Sequence, residues 1–236
     1  CNVPDYGTED VADSAIGLML SLTRGIHYHN SRQRRSLGEW GYTAYPKVPR
    51  LRGRTFGVIG LGRIGTAAAL RAKALGMNVA FYDPYVRDGT DKAIGVKRAE
   101  SLEALLGQTY VLSPHCPLTP DTKHIVNDAT ISRLPEGAYV VNTSRGGVMD
   151  VNAVLRGIES GHLAGAGIDV LETEPPTGSE AFIRAWRDPE HPAHDRIIVN
   201  PHCAFYCEEG LTEMRVKAVE NVARVLRGEV ARNKVN

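Results

Sequence analysis

Three short segments of the sequence carry polar side chains with complementary chemistry. Arg145 lies in NTSRGG, Glu172 and Glu174 lie in DVLETEPP, and His202 lies in NPHCAF. A guanidinium offers a planar fork of N–H donors that fits a carboxylate and a neighbouring carbonyl oxygen. An imidazole can give a proton to that oxygen as a hydride arrives, and a carboxylate beside the ring orients it. One arginine, one or two acids and one histidine therefore suit hydride transfer at a carbon next to a carboxylate.

A fourth segment, VIGLGRIG, places Gly60, Gly62 and Gly65 in the pattern G-x-G-x-x-G. It directly follows a predicted strand and opens a predicted helix, which is the context in which this pattern binds a dinucleotide. Gly60 permits a tight turn, Gly62 lets the backbone approach a pyrophosphate, and Gly65 allows the helix to pack closely on the strand. The pyrophosphate would then lie at the helix N-terminus, with the amides of Arg63 and Ile64 as donors.

An acidic residue at the end of the next predicted strand indicates which dinucleotide is bound. Asp83 lies about 20 residues beyond the glycine pattern, as the dinucleotide fingerprint requires. Its carboxylate can accept hydrogen bonds from both ribose hydroxyls but repels a 2′-phosphate. The pattern therefore predicts NAD in preference to NADP, although Arg87 lies nearby and could soften that preference.

The elements that must position these residues follow from alternating apolar runs. Strands are predicted over 54–60, 78–83, 110–113, 138–142, 165–170 and 196–200. Helices are predicted over 8–35, where Thr8 caps the first turn, and over 63–76, 101–107, 128–133, 150–160 and 207–228. The fold class is therefore α/β, with a doubly wound parallel sheet, a long N-terminal helix and a C-terminal helix. Ligands bind at the carboxyl ends of such strands, where the arginine, the acids and the histidine should converge.

Composition sets the outer limits of the interpretation. The chain has 236 residues, 42% hydrophobic and 23% charged, within the ordinary globular range. This length allows one large α/β domain or one and a half ordinary domains. The net charge of +1 gives no sign of a nucleic-acid partner. An apolar stretch at 14–23 reaches only about half of the roughly 20 residues that a membrane-spanning helix needs, so we expect a soluble protein.

The cysteines favour a reducing compartment. Cys1, Cys116, Cys203 and Cys207 form no C-x-x-C pair and no disulfide framework, which is typical of a cytoplasmic protein. A redox role for Cys116 is a minority alternative. Because the chain begins at a cysteine, with no signal segment, we expect a further segment upstream.

Two other groups of residues suggest ligand binding but have simpler explanations. His191 and His194 have the spacing of metal ligands, but the sequence offers no third ligand beside them. His202 with the neighbouring thiols could suggest zinc, but His202 is better explained as the acid–base group. We therefore predict no metal. Seven basic residues between 32 and 54 could bind phosphate or nucleic acid. Without an aromatic platform, they are better explained as a helix end followed by a solvated connector that holds Gly38, Gly41, Pro46, Pro49 and Gly53.

Taken together, these segments resemble the D-isomer-specific 2-hydroxyacid dehydrogenase family over essentially the whole chain. The resemblance rests on VADSAIGLMLSLTR, LRGRTFGVIGLGRIG, FYDP, HCPLTPDTKHIVN, GAYVVNTSRGGVMD, GAGIDVLETEPP and NPHCAFYCEEG. Within the family, the chain is most similar to the C-terminal binding proteins, a branch of NAD(H)-sensing transcriptional corepressors. The segments that carry this closer similarity are ALRAKALGMNVAFYDPY, NPHCAFYCEEG and the closing VN.

The resemblance implies a Rossmann NAD-binding domain and a role for particular residues. Arg145, Glu174 and His202 match the family's catalytic residues, and the acid directly before proline favours Glu174 over Glu172. The implied cofactor contacts are Gly60, Gly62, Arg63, Ile64, Gly65, Asp83, Cys116, Pro117, Thr122, Thr143, Ser144, Asp169, His202, Ala204 and Phe205. Phe205 stands where the corepressor branch carries tryptophan, which keeps an aromatic wall but removes an indole N–H.

The resemblance further implies an NAD-dependent oxidoreductase that acts on a small 2-keto or 2-hydroxy acid. The alternative is a nuclear corepressor that senses NAD(H) and has incidental dehydrogenase activity. We expect a homodimer, with the apolar stripe of the first helix in the interface. Residues 1–206 would form the NAD(H)-binding domain, and residues 207–236 would return toward an N-terminal substrate domain absent from this chain. In the corepressor branch, transcription-factor partners bind through that absent domain.

Overall fold

The fold is built around one parallel sheet. The structure is a computed structural model that describes residues 1–42 and 48–235. Its strands are β1 (Thr55–Ile59), β2 (Asn78–Tyr82), β3 (Lys97–Arg98), β4 (Val111–Pro114), β5 (Ala138–Asn142), β6 (Leu163–Ile168) and β7 (Ile197–Val199). They are ordered β3-β2-β1-β4-β5-β6-β7, with every pair parallel. The strand order reverses between β1 and β4, which is where such sheets open a ligand crevice.

Helices cover both faces of this sheet. They are α1 (Thr8–Thr23), α2 (Ile26–Arg34), α3 (Arg63–Ala74), α4 (Thr90–Ile94), α5 (Leu102–Leu106), α6 (Asp128–Ile131), α7 (Val151–Glu159), α8 (Ala181–Arg187) and α9 (Glu208–Leu226). One apolar layer packs α1 and α3 on the sheet and includes Met19, Phe56 and Phe81. The other packs α7 and α8 on the opposite face and includes Ile158 and Phe182. Burial on both faces explains the nearly continuous apolar strands and confirms the predicted doubly wound α/β fold.

Three short elements escaped the prediction. The sheet has a seventh strand, β3, which consists only of Lys97 and Arg98 at the sheet edge. Two charged residues carry no apolar alternation, so the pattern could not reveal this strand. Helices α4 and α8 are five and seven residues long, too short to show a clear helical period.

The predicted helix over 8–35 is wrong as a single helix. It breaks between α1 and α2 at Gly25, which takes a left-handed conformation with φ of 63°. The residue before α1 is Gly7, and no side chain caps this end, so Thr8 is not the cap. Beyond the break, Tyr28 is buried, whereas Ile26, which opens α2, is 56% exposed. Pro46 and Lys47, in the predicted connector, lie outside the described residues.

The apolar stripe of α1 serves this chain's own core. Ala12, Ala15, Met19 and Leu22 are buried against α3 and the sheet. These apolar side chains are therefore buried within the chain itself, and the structure does not support the prediction that they form a dimer interface. No helix in the described part of the chain is long and apolar enough to cross a membrane.

Candidate active site

The glycine turn after β1 lies at the crevice and leaves no room for larger residues at two positions. Gly60 has a φ of 89°, and a Cβ there would lie 2.9 Å from the backbone nitrogen of Cys116. A Cβ on Gly65 would overlap the carbonyl oxygen of Gly60. At Gly62, which precedes α3, a Cβ would meet nothing within 4 Å. The first and third glycines are thus required by packing, whereas the second borders open space at a helix N-terminus.

Asp83 is held beside this turn by two backbone amides. Its Oδ2 accepts a hydrogen bond from the N–H of Leu61 at 2.8 Å, and its Oδ1 accepts one from the N–H of Tyr85 at 2.9 Å. The carboxylate is half-buried at the end of β2. Its position next to the glycine turn is that of the acid which contacts the ribose in dinucleotide-binding folds. Arg63 and Ile64 begin α3 and contribute its first backbone amides.

His202 and Glu174 form a direct pair. Nδ1 of His202 lies 2.6 Å from Oε2 of Glu174, while Oε1 of Glu174 accepts a hydrogen bond from the N–H of Leu171 at 2.7 Å. The two side chains are 45% and 34% exposed. Because a carboxylate only accepts, the contact places a proton on Nδ1 and leaves Nε2 available at the open side of the ring.

A buried carboxylate fixes the backbone of the histidine loop. Asp169 is 2% exposed, and its Oδ1 accepts hydrogen bonds from the N–H groups of Cys203 and Ala204 at 3.0 and 3.1 Å. Its carbonyl oxygen accepts another from the N–H of His202 at 2.8 Å. His202 itself has a φ of 53°, in the left-handed region. Asp169 therefore holds His202 in a strained conformation through the loop backbone.

The arginine loop is shaped by Asn142, a residue that sequence reasoning missed. The buried Oδ1 of Asn142 accepts hydrogen bonds from the N–H and the hydroxyl of Ser144, and its Nδ2 donates to the carbonyl of Arg145 at 3.1 Å. Its only sequence signal is a polar residue that ends an apolar run. Arg145 is exposed, and its Nη1 donates to the carbonyl of Ser144 at 2.7 Å. Within the described residues, no ion pair joins Arg145 to the acids.

The remaining predicted cofactor residues line the same edge. Burial raises the pKa of the Cys116 thiol to about 11, which keeps it protonated and argues against a reactive thiolate. The hydroxyl of Thr122 donates to the carbonyl of Pro117 at 2.6 Å and closes that loop. Phe205 packs edge-on against the His202 ring, with 6.3 Å between ring centroids.

Two buried polar atoms at this edge have no partner in the described chain, and both lie just beyond neighbouring strands. They are the hydroxyl oxygen of Thr143, after β5, and Nδ1 of His115, after β4. Nε2 of His115 lies 2.9 Å from the hydroxyl of Ser113. Burial lowers the pKa of His115 to about 4, so its ring is neutral at physiological pH. A buried hydroxyl without a hydrogen-bond partner costs free energy, so the position of the Thr143 hydroxyl fits an edge that binds a polar ligand.

The residues that raised the question of a metal have other partners. Nδ1 of His194 lies 2.6 Å from the carbonyl of Trp186, and Nε2 of His191 lies 3.4 Å from Glu159. The sulfur of Cys207 accepts a hydrogen bond from the N–H of Gly210 and caps α9. No group of three metal-binding side chains occurs within residues 1–42 and 48–235.

These features define a class of protein. The tight glycine turn, the acid at the end of β2, the open space at Gly62 and the unpaired hydroxyl of Thr143 fit a dinucleotide. Arg145, Glu174 and His202 follow β5, β6 and β7, at the same edge of the sheet. The fold and site are those of a dinucleotide-binding domain.

Comparison with known proteins identifies the family. The model of the D-isomer specific 2-hydroxyacid dehydrogenase NAD-binding domain matches residues 16–204, and the chain belongs to this family. The predicted family and the predicted cofactor, NAD, are thus confirmed.

Curated relatives span both branches considered above. The chain is 35% identical over 235 residues to D-3-phosphoglycerate dehydrogenase of Methanocaldococcus jannaschii, covering 100% of this chain and 42% of that protein. It is 32% identical over 234 residues to C-terminal-binding protein 1 of Caenorhabditis elegans, covering 97% of this chain and 31% of that protein. The chain therefore spans less than half of either relative. The corepressor alternative is not better supported than the enzyme.

Solved structures of similar fold include dehydrogenases. A D-lactate dehydrogenase from Treponema pallidum superimposes with a TM-score of 0.85 at 32% identity, covering 100% of this chain and 70% of that one. D-Lactate dehydrogenase from Aquifex aeolicus, complexed with NAD and lactic acid, gives 0.84 at 30% identity, covering 96% of this chain and 69% of that one.

Proposed function

We propose that this chain forms the NAD-binding and catalytic part of an enzyme that interconverts a small 2-keto acid and the corresponding 2-hydroxy acid. The observation that carries the proposal is the 2.6 Å contact between His202 and Glu174 at the same sheet edge as the glycine turn. When bound, NADH supplies the hydride for reduction, and NAD accepts it in the reverse direction.

Three side chains divide the remaining chemistry. Nε2 of His202 donates a proton to the carbonyl oxygen of the substrate as its carbon receives the hydride, and it takes the proton back in oxidation. Glu174 orients the ring and stabilises the imidazolium. Arg145 binds the substrate carboxylate and polarises the neighbouring carbonyl.

The cofactor is proposed to lie along the crevice from the glycine turn to the histidine loop. The amides after Gly62, together with Arg63 and Ile64, would hold the pyrophosphate, and Asp83 the ribose. The edge beyond β4, β5, β6 and β7 would hold the rest of the dinucleotide through Cys116, Pro117, Thr122, Thr143, Ser144, Asp169, Ala204 and Phe205.

Replacement of Arg145 by Leu tests the proposal. Turnover of a panel of 2-keto acids, followed as loss of NADH absorbance in the full-length protein, should fall below detection because the substrate carboxylate loses its partner. NADH affinity should change less than about threefold, since the guanidinium addresses the substrate and not the cofactor. Arg133→Leu, which removes an exposed arginine at the end of α6, is the matched control and should leave both values unchanged.

Two outcomes would contradict this assignment. A large loss of NADH affinity in Arg145→Leu would place the guanidinium on the cofactor. A wild-type protein that binds NADH but reduces no 2-keto acid would overturn the enzyme proposal and favour the NAD(H)-sensing corepressor.

We also propose that residues 1–206 form the cofactor domain and that 207–236 return toward a separate substrate domain. Gly210 is the only buried residue of α9. The exposed apolar side chains of α9 include Val219, Val222, Val225 and Leu226. This unsatisfied apolar surface supports a further domain against the helix.

A homodimer is proposed through the segment that follows α2. Trp40 and Tyr42 are 92% and 95% exposed, and large exposed aromatic residues are typical of interfaces. Light scattering should give a dimer at micromolar concentration, and the double variant Trp40→Ala, Tyr42→Ala should give a monomer. Tyr85→Ala, a similarly exposed aromatic elsewhere, should remain dimeric. A monomeric wild-type protein would contradict the proposal.

The cysteines of the chain form no disulfide pairs, so we propose that the enzyme works in the cytoplasm.

A further inference from the structure

One residue joins three loops at the carboxyl edge of the sheet. His124 lies in the loop after β4 and has a φ of 49°, in the left-handed region. Its backbone N–H donates to the carbonyl of Gly147 at 2.8 Å, in the loop after β5. Its Nε2 lies 3.1 Å from Oε2 of Glu172, in the loop after β6. His124 therefore links the loop that carries Arg145 to the loop that carries Glu174.

The three loops are in direct contact around this residue. A Cβ on Gly146 would overlap the backbone of Leu171, and one on Gly147 would lie 3.0 Å from the side chain of Leu118. The carbonyl of His124 accepts a hydrogen bond from Nδ2 of Asn127, the cap of α6, at 2.8 Å. The backbone of His124 is therefore anchored on both sides, and from this position its Nε2 contacts Glu172.

Glu172 and Glu174 face different histidines from one short loop. Glu172 contacts His124, and Glu174 contacts His202. The same loop is closed internally by the bond from the N–H of Leu171 to Oε1 of Glu174. Rotation of this loop would move Glu174 away from Nδ1 of His202. The contact to His124 opposes that rotation from the other end of the loop.

We propose that His124 is a positioning residue that acts through Glu172 to keep Glu174 on Nδ1 of His202. Its catalytic consequence rests on the proposed function, but the contact itself does not. Because the contact between His124 and Glu172 is partly exposed, it contributes little to global stability, and its loss should appear as local loosening of the 171–176 loop.

Nuclear magnetic resonance of this chain tests the proposal without any turnover. The readouts are the low-field signal of the His202 Nδ1–H and the exchange rate of the Leu171 amide. His124→Asn keeps a residue type that tolerates a left-handed backbone but is too short to reach Glu172. We expect it to broaden the ring N–H signal and to speed Leu171 exchange about fivefold, the scale of a partly exposed polar contact. Glu172→Ala should have the same effect.

Two variants separate this role from general damage to the loop. Glu172→Gln keeps an oxygen that can accept a hydrogen bond from Nε2–H of His124. Both readouts should therefore stay at the wild-type values in this variant. Lys123→Ala removes an exposed neighbour of His124 and should change neither. In the full-length protein, the His124 and Glu172 truncations should lower kcat while the KM for NADH stays the same.

Different results would overturn the positioning role of His124 and the proposed enzyme activity. Unchanged Leu171 exchange and an unchanged ring N–H signal in both His124→Asn and Glu172→Ala would overturn the positioning role. If those signals respond as expected while the wild-type protein reduces no 2-keto acid, the positioning role stands and the enzyme proposal fails.

Discussion

His202→Asn is expected to lower kcat by about 10²- to 10⁴-fold, the range that general acid–base catalysis supplies. The carboxamide of asparagine cannot exchange a proton near neutral pH, so the alkoxide that forms on hydride transfer loses its proton donor. Asparagine is the informative replacement because it tolerates the left-handed φ of 53° at this position. The loop, held by Asp169, should therefore keep its conformation.

NADH oxidation in the presence of a 2-keto acid measures the loss, and cofactor fluorescence measures NADH binding in the same sample. Binding should change less than about threefold, because the loss concerns the transition state. His162→Asn is the control, since Nε2 of His162 contacts the carbonyl of Ile131, the last residue of α6. A kcat within threefold of wild type for His202→Asn would show that another group transfers the proton.

The sheet was predictable because burial on two faces imposes a simple pattern. Strands such as Tyr139–Val141 must be apolar throughout, and this pattern survives in the sequence whatever the loops do. The break at Gly25 was not predictable, because the helical spacing of apolar residues does not show the sign of a glycine's φ. Edge strand β3 was missed because it pairs on one side only and consists of two charged residues, so the sequence shows no apolar run there.

The residues of the candidate site also fall into those that the sequence could predict and those that it could not. Arg145, Glu174 and His202 could be proposed because each follows a strand, and the carboxyl ends of parallel strands share one edge. From residue types alone, Glu172 and Glu174 were equivalent, since both lie in one loop, and the family resemblance favoured Glu174. In the structure, Glu174 contacts His202, whereas Glu172 contacts His124. The positioning contacts of Asn142, Asp169 and His124 depend on partners distant in the chain, which spacing cannot supply.

Gly65→Ala should lower NADH affinity by at least about 100-fold and destabilise the fold by about 1–3 kcal/mol, the usual range for overpacking. The added methyl group would overlap the carbonyl oxygen of Gly60 and approach a methyl of Val58 to 3.3 Å. Because the carbonyl group of Gly60 is part of the backbone and cannot rotate away as a side chain could, α3 must move away from β1. That movement displaces the first amides of the helix, which are proposed to hold the pyrophosphate.

Two other glycines separate packing from ligand approach. Gly62→Ala should leave the melting temperature unchanged, because its Cβ meets nothing within 4 Å, yet it should weaken NADH binding by occupying the space of the pyrophosphate. Gly17→Ala, in the interior of α1 and equally open, should raise stability by about 0.5–1 kcal/mol and leave binding unchanged. Thermal unfolding and calorimetric titration with NADH measure both quantities for all three variants. If Gly65→Ala binds NADH like the wild type, close approach of α3 to β1 is not what builds the cofactor site.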